Sequence, residues 1–302
     1  MGATLTFCLK VCYDGPLMNT PMHLRLGHSP DPDDAFMFYA LAYGKIPTEG
    51  LTFEHILKDI ETLNSWAMEG KLEITALSLH AYSYVADKYV LLPQGASMGD
   101  RYGPIIVMKE TVESASPLAL LKGARIAIPG LLTTANLLLH LYLSDFEGVI
   151  VPFDQIMDEV KSGKVDAGLL IHEGQLTHGE EGLHKIVDLG EWWHEQTGLP
   201  LPFGINAVRR DLGDPLMKKI ARILKESIEY GLAHREPALN YAMQYGRGMP
   251  RDLADRFVEM YVNHRTMALG EEGMKGIYAL LEMGWKKGVL KQQIIPEFVS
   301  LK

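Results

Sequence analysis

Two stretches of this chain, offset by 100 residues, align without a gap. "LRLGHSPDPDDAFMFYAL" begins at Leu24 and "ARIAIPGLLTTANLLLHL" at Ala124. Each reads as a short strand, a proline-bearing loop, polar residues at a helix start, then an apolar helix. Asp33 and Asp34 fall opposite Thr133 and Thr134, and both residue types serve as helix N-caps. A second echo follows. "DIETLNSWAMEGKLEITALSLH" from Asp59 and "DQIMDEVKSGKVDAGLLIHE" from Asp154 each start as an amphipathic helix, with apolar residues three and four apart. Each helix stops at a Gly-Lys pair, Gly70-Lys71 and Gly163-Lys164, as a glycine C-cap would have it, and each runs into a short strand. Aligned on these glycines, Ser78 and Leu79 stand opposite Ile171 and His172.

Repeated strand–helix–strand units imply a mainly parallel, layered α/β sheet in each half. Ligands bind such sheets outside the carboxyl ends of the strands. Two such lobes facing each other make a cleft. Its expected lining is the helix starts at 29–34 and 133–136 and the strand ends at 78–80 and 172–173. "GDRYGPIIV" (99–107) reads as a loop and strand that cross between lobes, and 199–212 as a returning strand. From Asp214 the chain is helical, with Leu216, Ile220, Ile223, Leu224 and Ile228 as an apolar stripe. This tail is expected to pack on the first lobe, with its Met and Tyr residues in the core. The expected division is a leader over 1–22, a discontinuous first lobe over 23–106 plus 204–302, and a second lobe over 107–203.

Composition narrows the partners. Of 302 residues, 47% are hydrophobic and 22% charged, and the net charge is −9, an ordinary globular balance that disfavours nucleic acid and anionic membranes. An anionic or polyol small molecule is still compatible, because helix dipoles act locally. The only cysteines, Cys8 and Cys12, make no disulfide framework and no zinc spacing. No run of about 18 apolar residues suits a transmembrane helix, and the N-terminus is a poor signal peptide, so the expected compartment is the cytoplasm. There is no G-x-G-x-x-G after a strand, no P-loop and no G-x-S-x-G.

Among single residues, His172 stands out at a strand terminus facing the cleft, where imidazole titrates near neutrality and suits proton abstraction. Glu173 follows it and on an extended strand would face the other way. One of Thr133 and Thr134 is expected to cap its helix and the other to meet a ligand with the free N–H groups. Asp31, Asp33 and Asp34 match no metal-site template, and repulsion among them implies that at least one caps a helix or pairs with a base. Trp192 and Trp193 read as packing residues.

"GHSPDPDDAFMFYALAYGKI", "GARIAIPGLLTTANLLL", "DAGLLIHEGQLTH" and "VDLGEWWHEQTGLPLPFGINAVRRDLG", with the second echo, resemble the 1,4-dihydroxy-6-naphthoate synthase family of the futalosine route to menaquinone, from Leu24 to the last helices. The resemblance implies an α/β periplasmic-binding-protein type II fold: two lobes, a ligand cleft between them, and the C-terminal helices on the first. It implies a lyase, without cofactor or metal, acting on cyclic dehypoxanthine futalosine, with His172 as the base. Ser78 with Ala76 and Leu77, the pair Thr133 and Thr134, and Ser29 and Asp33 are then the expected substrate-binding residues. A homodimer is compatible with it. The chain departs where the family often reads Ser-Pro-Cys-Pro-Asn-Asp-Thr-Phe. Here residues 29–36 read Ser-Pro-Asp-Pro-Asp-Asp-Ala-Phe, so an amide becomes an acid at Asp33 and a hydroxyl is lost at Ala35. An ionised acid cannot donate a hydrogen bond as the amide does. The sister chorismate dehydratase and a non-enzymatic solute-binding protein are the alternative readings.

Overall fold

The computed structural model describes residues 22–110 and 116–301; the leader residues 1–21, with both cysteines, lie outside the described residues. The first echo produces β1 (Met22–His28) and α1 (Pro32–Ala42); β2 (Leu51–Leu57) follows. α2 (Ile60–Met68), β3 (Ile74–Ser78), α3 (Leu79–Val85), β4 (Tyr89–Leu91) and β5 (Ser97–Gly99) complete the first stretch. The second contains β6 (Ile105–Met108), α4 (Pro117–Leu121), β7 (Arg125–Ile128), α5 (Thr134–Tyr142), β8 (Glu147–Ile150) and α6 (Ile156–Lys161). It continues with β9 (Ala167–Leu170), α7 (Gly174–Thr177), β10 (His184–Asp188) and α8 (Leu189–Thr197). Then come β11 (Leu201–Arg209) and the helices α9 (Asp214–Ala233), α10 (Arg235–Ala242), α11 (Arg251–Tyr261), α12 (His264–Met267) and α13 (Gly270–Lys286).

These strands form two sheets. One has the order β2-β1-β3-β11-β4 with β5 also on β11; the other has the order β10-β6-β9-β7-β8. β1, β2 and β3 are mutually parallel where they pair, as are β7, β8 and β9. The strands that enter from the other half, β11 and β6, run antiparallel to their neighbours. The chain passes between sheets at 100–104 and again just before Leu201, a few residues ahead of the expected crossings at 106/107 and 203/204. The architecture is the expected two-sheet α/β fold.

Local chemistry sets the repeated units. Pro32 occupies the first turn of α1, where a missing N–H costs nothing. Thr133 caps α5 by accepting from the Asn136 amide, and Asp59 caps α2 through the Thr62 amide. Gly70 and Gly163 both take a left-handed backbone (φ +68° and +73°) two residues past the end of α2 and α6, just after the C-cap, which glycine adopts without steric cost. On α9, Met217, Ile220, Ile223, Leu224 and Ile228 are buried against Phe36, Met37 and Tyr39 of α1. Leu216, expected in that stripe, is only partly buried beside it. Trp193 is fully buried and Trp192 packs edge-on against Tyr142, so both tryptophans pack.

Candidate active site

One cavity lies where the carboxyl ends of β1, β3 and β9 meet the amino ends of α1 and α5. All eight residues singled out from the sequence, Ser29, Asp33, Ala76, Leu77, Ser78, Thr133, Thr134 and His172, line it. Strand β11 forms one wall: Ile205 pairs with Leu77 and Asn206 with Ala76.

The hydroxyls have distinct duties. Thr133 spends its oxygen on the Asn136 amide and its proton on the Gly130 carbonyl, so it is the cap. Thr134 accepts from the Leu79 amide at 3.0 Å, which joins the two lobes across the cavity. Its own proton has no protein acceptor among the described hydrogen bonds, and the residue lines the cavity. Ser78 is gripped by Asn64 of α2: the Ser78 amide donates to Asn64 Oδ1 (2.9 Å), and Asn64 Nδ2 donates to Ser78 Oγ (3.1 Å). Asn64 is fully buried in the apolar stripe of α2; a lone amide between Leu63 and Ala67 was the legible signal of this clamp.

The acidic loop sorts itself. Asp34 accepts from the Ser29 amide at 2.7 Å; burial above all, with Asp31 adding, pushes its carboxyl up to about 7 against that bond. Asp33 is buried, and its Oδ1 has no partner. Burial first, then the Asp34 and Asp31 carboxylates, push its pKa well above the usual range, opposed by His172. Burial and the neighbouring carboxylates thus favour the neutral form of Asp33, in which the carboxyl carries an O–H able to donate.

His172 lies two residues past the end of β9, with φ +55°, a region uncommon for residues other than glycine. Strand β9 ends at Leu170, so Ile171 is not part of it as expected. Glu173 does not line the cavity but meets Arg247. Arg247 bonds Glu173 Oε1 at 2.5 Å and Asp31 Oδ1 at 2.5 Å, while Asp31 Oδ2 lies 3.2 Å from His172 Nδ1. The Glu173 carboxylate is thus wired to His172 through two residues. Phe153 stands edge-on to the His172 ring at 4.9 Å and under the Arg247 guanidinium at 4.8 Å.

The tail contributes more than core. Tyr261, expected to be packing, lines the cavity, and its hydroxyl accepts from Gln175 Nε2 at 2.9 Å. Burial, with Asp33 nearby, pushes that phenol up, so it stays neutral. Arg247 and Tyr261 carried no local signal, because only tertiary packing brings them here. Among the described residues, no group of three or more His, Cys, Asp or Glu is placed to hold a metal ion.

The fold and the cavity define a two-lobe, cleft-binding protein. The alkanesulfonate-binding protein of Xanthomonas axonopodis pv. citri shares the fold with a TM-score of 0.67 at 14% identity, over 91% of this chain and 96% of that one. Sequence goes further. The family described as menaquinone biosynthesis matches residues 24–286, and the chain belongs to it. It is similar to the 1,4-dihydroxy-6-naphthoate synthase of Thermus thermophilus, 42% identical over 276 residues, which are 91% of this chain and 99% of that protein. A crystal structure of an Archaeoglobus fulgidus protein is similar with a TM-score of 0.84 at 48% identity, over 88% of this chain and 98% of that one.

Proposed function

We propose that this chain forms 1,4-dihydroxy-6-naphthoate, the product for which its Thermus relative is named, from cyclic dehypoxanthine futalosine, as a cytoplasmic carbon–carbon lyase that uses no cofactor. The observation that carries the reading is the convergence of His172, Ser78, Thr134 and Asp33 on one cavity between the sheets. His172 offers an imidazole as the base. In this reading His172 withdraws a substrate proton, the ring opens and aromatises, and the sugar-derived fragment leaves. The hydroxyl of Thr134 and the O–H of Asp33 donate to substrate oxygens, and Ser78, fixed by Asn64, holds a third polar group. Ser29, Ala76 and Leu77 shape the wall, and Thr133 supports Thr134 by capping the helix that presents it.

The test is direct. Purified protein given the cyclic compound is expected to release the naphthoate, followed by its absorbance, and to leave chorismate unchanged. His172→Ala is expected to lose about 100-fold or more in kcat, the usual scale of general acid–base catalysis. Turnover of chorismate, or an alanine variant as active as the parent, overturns the reading.

A further inference from the structure

Arg247 reaches both sides of the cleft and, through Asp31, the candidate base. It sits in the loop before α11, itself with a left-handed backbone (φ +47°). One guanidinium nitrogen takes Asp31 Oδ1 at 2.5 Å and the Pro30 carbonyl at 3.4 Å, both beside the end of β1. The other takes Glu173 Oε1 at 2.5 Å, beside the end of β9 in the second sheet. The Asp31 side chain is only 2% exposed, and its second oxygen is left for His172 Nδ1 at 3.2 Å. Phe153 closes the far side of the imidazole ring and the underside of the guanidinium.

A carboxylate accepts hydrogen bonds and donates none. An acceptor 3.2 Å from His172 Nδ1 favours the tautomer with the proton on that nitrogen and the lone pair on Nε2. The partner of one ring nitrogen sets the state of the other. The fork of Arg247 in turn holds the Asp31 oxygens in place, which a lysine could not do with two separated acceptors.

We infer that Asp31 and Arg247 are positioning residues for His172, fixing its tautomer with Nδ1 protonated and Nε2 free to act as the base, and that Glu173 ties this arrangement to the approach of the two lobes. The inference rests on the reading of His172 as the base. Neither Asp31 nor Arg247 touches the reacting atoms in it; both act through the ring.

The experiment combines kinetics with nitrogen-15 NMR of the imidazole in the full-length protein. Asp31→Asn keeps the shape but lets an amide donate to Nδ1. It is expected to cut kcat about 100-fold with KM changed less than about threefold, to move the acid limb of the kcat profile to lower pH, and to switch the protonated nitrogen from Nδ1 to Nε2. Arg247→Ala is expected to lower kcat in the same sense, with Arg247→Lys restoring only part. Nitrogen-15 spectra of Asp31→Asn that match the parent, or a pH profile that does not move, overturn the inference. If Arg247→Ala does not fold, Arg247→Lys carries that arm. If the parent itself fails to turn over the cyclic compound, the functional reading falls, while the NMR result alone still decides whether Asp31 sets the tautomer.

Discussion

A buried carboxyl with no partner for one oxygen is pressed toward its neutral form and left open to a ligand, and Asp33 is such a group. An Asn amide can donate where a neutral Asp33 would, so Asp33→Asn is expected to keep KM within about threefold, whereas Asp33→Ala raises it roughly tenfold, the scale of one lost hydrogen bond. The pH sign follows from the same group. In the parent, KM climbs as rising pH removes the Asp33 proton, while in Asp33→Asn it stays flat. Steady-state kinetics over the pH range in which the protein stays folded check this, and a parent KM as flat as the variant's would refute it. The lining residues were legible one by one because each sits at a strand end or helix start. Alternation alone could not place Glu173, because it presumes an extended chain and the left-handed turn at His172 ends that presumption.

Elements explain why those single residues were readable at all. A strand, a capped helix and a glycine stop are local features, written within about 20 residues, so the echo between halves identified both cavity-facing helix starts. α5 depends on its cap: Thr133→Ala frees the Asn136 amide and the Gly130 carbonyl, with an expected cost of about 1 kcal/mol by urea unfolding. A Thr133→Ser variant should recover most of it, and equal stability of all three proteins would show that the cap contributes nothing. What no element announced is the tail. α9, α11 and the loop at Arg247 read as an amphipathic layer, and amphipathic patterns report which face is buried, not which residue at its margin overhangs a cavity.

For the molecule as a whole, the acidic loop makes stability depend on pH in a predictable sense. Asp34 is pushed up to about 7, so the folded state binds its proton more tightly than the unfolded chain. Its contribution is complete below about pH 4 and is lost as pH rises through about 7. Asp34→Asn removes that loss. Between pH 5 and pH 8 the parent's unfolding free energy is expected to fall by about 1–4 kcal/mol more than the variant's, measured by denaturant titration; equal falls would refute it. The order of assembly was not legible as a cost, yet β11 imposes one. It is the strand that both β3 and β4 pair with, and it is synthesised about 120 residues after Ser78. At translation speeds of roughly 5–20 residues per second, β1, β2 and β3 wait about 6–25 seconds on the ribosome with an apolar edge uncovered. The nascent chain is thus most open to chaperones, and to aggregation, while its second sheet is still being made.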